Sequence, residues 1–157
     1  MSIFPTKVLL ATDGSRDAQL AASTAVDLAK AFDSELHIVT VVPGYPSHDP
    51  AYPSYRVRTP EVAEDLRKQA QEVLEEQAKK IEQAGGEVAQ RHLRVAERNR
   101  ADEIVRVAEE LQAGLIVLGS RGWGGISRAL MGGVSELVVR HAHCPVMVVR
   151  PEKEPAA

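Results

Sequence analysis

The chain of 157 residues has a single cysteine, Cys144. That excludes an internal disulfide and a multi-cysteine metal site, and it fits a reducing compartment. No apolar stretch approaches the ~18 residues that a membrane span needs, so no membrane partner is expected. The opening MSIFPTKVLLATDG has no basic start, and Asp13 and Gly14 cut its apolar run short, unlike a secretory leader. The expected location is cytoplasmic. There is no basic surplus either: 19 Lys and Arg face 22 Asp and Glu, a formal net charge of −3. Nucleic acid is therefore not expected as the main partner, and any phosphate must be held locally rather than by a broad positive field. The phosphate-loop pattern G-x-x-x-x-G-K-[ST] is missing, and no G-x-G-x-x-G follows a first strand, which argues against a hydride-transfer enzyme.

What is present is an alternation of strand and helix patterns. KVLLAT (7–12) is a short, bounded apolar run that reads as a buried strand. DGS (13–15) is a turn in which Ser15 can cap the next helix. Ala18, Ala21, Ala22, Ala25, Leu28, Ala29 and Phe32 then recur at helical spacing. ELHIVTVV (35–42) is a second strand. Residues 43–60 hold five of the nine prolines and all three tyrosines, Tyr45, Tyr52 and Tyr55. They form a long loop, either a plain connection or a lid or partner-binding segment. A helix over 61–84 carries Val62, Leu66, Ala70, Val73, Leu74 and Ile81 on one face and stops at Gly85-Gly86. EVAQRHLRV (87–95) reads as a polar strand near a sheet edge. Asn99 caps a helix that buries Ile104, Val105, Ala108 and Leu111. GLIVLG (114–119) is a buried strand, SELVVRHA (135–142) a last helix and VMVVR (146–150) a last strand. This order predicts a doubly wound α/β sandwich with five parallel strands in one domain over 1–151, followed by a polar tail, 152–157. Ligands of such sheets bind beyond the carboxyl ends of the strands, where the winding reverses. ATDGS and LGSRG are therefore expected to be neighbours there.

Six of the eleven glycines fall in GSRGWGGISRALMGGVSE, residues 119–136. Gly119 and Gly122 directly follow a strand, where a missing Cβ lets a ligand approach the backbone. Gly132, Gly133, Val134 and Ser135 begin a helix, whose free amides suit an anion. Two glycine clusters could thus cradle one phosphorylated ligand; a set of tight turns around a helix start is the alternative. Arg121 and Arg128 lie in the same run, either solvated or in contact with phosphate. Trp123, between glycines, is either exposed or packed on a partner.

The spacing G-x2-G-x9-G at Gly119, Gly122 and Gly132, together with KVLLATDGS, ADEIVRVAEELQAGLIVLGSRGWGG and GGVSELVVRHAHCPVMVVR, resembles the universal stress protein family along nearly the whole chain. The resemblance implies a flavodoxin-like sheet of order 3-2-1-4-5 with ATP or AMP at its carboxyl edge. It implies that Ala11, Thr12 and Asp13 border the adenosine and metal side, that Val41 touches adenine, and that Leu118 closes the pocket. Gly119, Gly122, Gly132, Gly133, Val134 and Ser135 would hold ribose and phosphates. Asp13 would bind a ribose hydroxyl or hold Mg²⁺ through water, as a hard cation prefers; its other role is turn formation. The chain departs from the family pattern at Gly133, where Ser or Thr is common. It also has Gly114 where an Asp is usual before the strand, and VAERNRADEI lacks a glycine often found in that loop.

His141, His143 and Cys144 fall within four residues beside Pro145, a poor match to zinc spacing, so no metal is expected there, and Cys144 reads as a small buried side chain. The last strand is short, apolar and terminal, which favours pairing with a second chain. The resemblance implies antiparallel pairing across a two-fold axis, and Val146, Val148 and Val149 are the expected contacts of a homodimer. The function that follows is adenine-nucleotide binding in a regulatory or stress-response role. Two other readings remain open: a slow ATP hydrolase or phosphotransferase using Asp13, Ser135 and Arg121 or Arg128, and an interaction protein with an empty pocket.

Overall fold

A computed structural model of the chain describes residues 2–44, 59–122 and 133–152. The expected loop tyrosines, Trp123, Arg128, Gly132 and the end of the tail lie outside the described residues. The elements run β1 (Lys7–Ala11), α1 (Arg16–Ala31), β2 (Glu35–Val42), α2 (Pro60–Gln83), β3 (Gln90–Val95), α3 (Arg100–Leu111), β4 (Leu115–Gly119), α4 (Gly133–His141) and β5 (Val146–Val149). All strands are parallel in the order β3-β2-β1-β4-β5. This is the expected doubly wound, flavodoxin-like sandwich, and its winding reverses between β1 and β4.

Strand alternation sorts the core onto two faces. Val8, Leu10, Leu36, Ile38, Leu115 and Val117 pack under the small residues of α1 and under Leu74, Ala78 and Ile81 of α2. Leu9, Ala11, Val39, Val41, Ile116 and Leu118 pack against α3 and Val138 of α4. Alanines at 18, 21, 22 and 25 let α1 lie close on the sheet, and all four are buried. Phe32 leaves this pattern: it caps α1 and stacks on Phe4 at 4.3 Å, half exposed. Only the second half of α2 is buried, at Leu74, Gln77, Ala78 and Ile81; Val62, Leu66, Ala70 and Val73 are half-buried.

The helix signals act as read. Ser15 and Asn99 each accept the amide of the residue three positions on, which satisfies an orphan donor of the first turn; Thr59, not foreseen as a cap, does the same for α2. Gly85, at φ +83, ends α2, and the Gly86 amide reaches the Ile81 carbonyl.

β3 lies at the sheet edge, as its polar sequence implied, but begins at Gln90 rather than 87. His92 Nε2 lies 3.3 Å from His37 Nδ1 across β2 and β3, and His37 Nε2 lies 3.0 Å from Glu35 Oε2. One proton can bridge the two rings; two cannot. Burial and the charges of His37 and Arg94 lower the His92 pKa, against an opposing pull from Glu110. A histidine whose folded pKa lies below its unfolded value makes the unfolded chain bind more protons between the two, so stability falls as pH drops below about 6.5. Thermal melts from pH 7.5 to 5.5 should show a falling Tm, and His92→Gln should flatten that slope.

Candidate functional site

The turn after β1 is built by three consecutive residues. Asp13 Oδ1 accepts the Ser15 amide at 2.9 Å, an Asx turn. Gly14 takes φ +78, and a Cβ there would lie 3.2 Å from Val73; Ser15 caps α1. The Thr12 hydroxyl points away from Asp13: it donates to Gln77 Oε1 of α2 at 3.0 Å and accepts the Gly14 amide at 3.3 Å. Thr40 in turn donates to the Thr12 carbonyl at 2.9 Å. Thr12 therefore fixes the turn from beneath, and its side chain is committed to α2.

The turn after β4 meets the first one. A Cβ at Gly122 would collide with Asp13 Oδ2, and one at Gly119 would come within 2.7 Å of the Asp17 backbone carbon. Both glycines are thus explained by close approach. The Ser120 amide bonds the Val149 carbonyl at 2.9 Å, which ties the turn to β5. The Ser120 hydroxyl donates to Asp17 Oδ2 at 2.9 Å, and Arg121 Nε donates to the same oxygen at 3.3 Å. Ser135, in the first turn of α4, donates its hydroxyl to the Ser120 carbonyl at 2.9 Å. One hydrogen-bonded chain therefore links the start of α1, the end of β4 and the start of α4.

Ala11, Val41 and Leu118 are buried on the α3–α4 face, at the carboxyl ends of their strands, and belong to one cluster. Val134 packs against the same cluster. Gly133 opens α4, and a Cβ built there meets nothing within 4 Å. Its φ lies outside the left-handed range, so a side chain is sterically free at that position. The expected neighbours thus converge: Ala11, Asp13, Val41, Leu118, Gly119 and Gly122 sit at the switch point, and Ser135 is joined to them through Ser120. Arg121 is there too, but its Nε serves Asp17.

The residues that sequence reading missed are the polar ones beneath the turns: Asp17, Ser120, Gln77 and Thr40. All four are buried. Asp17 sits in the first turn of α1, where an acidic residue is ordinary, and its signal, a carboxylate beside a run of alanines, is weak. His141 and His143 face acids on α3, at 3.5 Å from Asp102 Oδ1 and 3.0 Å from Glu109 Oε1. Cys144 is half-buried, less than expected, and burial raises its pKa.

Fold and crevice together define an open parallel α/β protein of flavodoxin-like type, with glycine turns meeting at the switch point. Residues 5–150 match the model of the universal stress protein family. A universal stress protein of Methanocaldococcus jannaschii is 39% identical over 154 residues, covering 94% of this chain and 84% of that protein. Among solved structures, UspA from Lactobacillus plantarum superposes with a TM-score of 0.73 at 26% identity, over 94% of this chain and 99% of that one. A universal stress protein of Archaeoglobus fulgidus in complex with dAMP gives 0.67 at 25% identity, over 95% of this chain and 100% of that one. The chain belongs to the universal stress protein family.

The close packing of Gly119 on Asp17 gives a stability test. Alanine there forces backbone against backbone, and overpacking of this kind costs about 1–3 kcal/mol. Urea denaturation of Gly119→Ala should show a lowered midpoint with an unchanged m-value.

Proposed function

We propose that the protein binds an adenine nucleotide at this switch point and acts as a nucleotide-dependent regulatory protein. The observation that carries the reading is the meeting of the β1 and β4 turns beside an unobstructed start of α4. Amides at a helix start carry partial positive charge and suit phosphate. The bound dAMP of the Archaeoglobus relative supports the same ligand class. Ala11, Val41 and Leu118 form an apolar wall for adenine and ribose. Gly119, Gly122, Gly132, Gly133, Val134 and Ser135 offer backbone groups to ribose and phosphate, the Ser135 hydroxyl being spent on the Ser120 carbonyl. ATP and AMP are the proposed ligands.

Asp13, half-buried beside Gly122, suits the role of ribose acceptor or of a partner to Mg²⁺. A single carboxylate fits a cation that keeps several waters and takes its other oxygens from phosphate. No catalytic residue is assigned. Phosphoryl transfer needs a free cationic clamp, and the pairing of Arg121 with Asp17 counts against Arg121 as one. Among the described residues no helix is long and apolar enough to cross a membrane, and a cytoplasmic location is proposed from the lone cysteine.

Protein purified without added nucleotide and then heated should release an adenine nucleotide. Calorimetry with ATP, AMP and adenosine then measures each part of the ligand. Gly133→Ser adds a hydroxyl donor in open space at the start of α4. A hydrogen bond to a charged group is worth about 1.5–3 kcal/mol, less the loss of water contacts. ATP should bind about tenfold tighter, the ratio of ~1.4 kcal/mol, with adenosine unchanged. A Gly132→Val variant should lose ATP. Failure of the wild-type protein to bind any of the three ligands would overturn the reading.

We also propose a homodimer formed through β5. Among the described residues, only β4 pairs with this strand. Val146, Val148 and Val149 are half-buried and Met147 is 37% exposed, so the strand offers apolar surface together with an unpaired edge. Light scattering at micromolar concentration should give a mass near twice that of the chain; a monomer would refute this.

A further inference from the structure

We infer that Asp17 sets how the site discriminates by phosphate charge, because it withholds Arg121 from the ligand. The inference rests on the nucleotide reading above. The Asp17 side chain is only 8% exposed, and that of Arg121 22%. A carboxylate this deep needs hydrogen bonds and an opposite charge to remain ionised. Ser120 provides the first at 2.9 Å and Arg121 Nε the second at 3.3 Å, both on Oδ2. The position of the pair matters. Ser120 and Arg121 directly precede Gly122, which touches Asp13, and Ser120 carries the bond from Ser135 at the start of α4. The one described arginine of the glycine turn is thus neutralised inside the loop that faces the ligand.

An arginine that serves phosphate presents its full charge and its fork of donors. Arg121 is instead anchored through Nε to a carboxylate, so the pair adds no net charge to the crevice. Backbone amides are then the main phosphate ligands, and each additional phosphate gains little electrostatic attraction from this loop. Asp17 is a positioning residue: it acts on the ligand through Arg121 and Ser120.

Asp17→Asn separates the two roles of the carboxylate. The amide oxygen still accepts from Ser120, which preserves the turn, while the negative charge is removed and Arg121 becomes a net cation. Calorimetry should show ATP bound about tenfold tighter, AMP about threefold tighter and adenosine unchanged. Asp17→Asn combined with Arg121→Gln removes both charges, and ATP affinity should return to the wild-type level. If ATP stays weak in the double variant, as in Arg121→Gln alone, then Arg121 is a direct phosphate ligand and the inference falls. Equal changes for ATP and adenosine would also overturn it, since a mere structural brace ignores ligand charge.

Tripolyphosphate, titrated into wild type and Asp17→Asn, separates this inference from the nucleotide reading. If the wild-type protein binds no adenine compound, that reading fails, yet tighter tripolyphosphate binding by Asp17→Asn still supports the role of Asp17, and unchanged or weaker binding overturns it. A measurement on the wild-type protein alone guards against a variant that does not fold. The Arg121 Nε–H resonance should stay in place as ATP or tripolyphosphate is added; a shift that saturates with ligand would show that Arg121 leaves Asp17, against the inference.

Discussion

The approach of β4 to the first turn of α1 governs the geometry of the crevice. A glycine at 119 lets the strand end lie on the Asp17 backbone at a distance no side chain allows. Once the strand is that close, the Ser120 hydroxyl reaches the Asp17 carboxylate, and the Ser120 carbonyl faces Ser135. The start of α4 is then hung from the end of β4. The two turns at the switch point are therefore one unit. Its parts come from residues about a hundred positions apart in the chain, and tertiary packing brings them together.

The two faces of the sheet treat polarity differently. Over most of their area they are dry and made of branched aliphatic side chains, as a parallel sheet covered on both sides requires. Besides the helix cap Ser15 and the Asp17–Ser120–Ser135 chain, buried polar groups gather at three places among the described residues. Gln77 descends from α2 to hold Thr12. Glu103, nearly inaccessible on α3, lies between Arg94 and Arg106, with Glu110 also bound to Arg94. His37 Nδ1 and His92 Nε2 meet at 3.3 Å between β2 and β3. Burial of a polar group is costly unless it is paired, and each of these islands joins two elements that the apolar core alone would leave free to slide.

Most of the architecture was legible because it depends on local pattern. β2 was read to the residue, since its apolar run is bounded on both sides by turn residues. The caps at Ser15 and Asn99 follow one short-range rule. The strand order itself came from resemblance, because periodicity gives the number of strands but not their neighbours. What escaped was non-local. Phe32 fits the helical period of α1 yet leaves the core, because Phe4, far away in sequence, gives it a stacking partner at the helix end. Val62 and Leu66 keep the apolar stripe of α2 but are only half-buried, because the buried residues of the helix all lie in its second half. Of the candidate site, the glycines and the apolar wall could be named from spacing and resemblance. The polar support under them could not, since nothing in the word SRDA tells Asp17 to look inward.

The two rims of the sheet are unlike each other. β3 carries Gln90, Arg91, His92 and Arg94, with Arg91 and Arg94 in ion pairs to α2 and α3. A strand so armoured is a poor template for another chain. β5 is four residues long and wholly apolar. With the pairing proposed for β5, the molecule would have a valency of one. A sheet that is adhesive along a single rim can join once and then has nothing left to offer, so its assembly terminates, whereas two adhesive rims would let copies add without end into a filament.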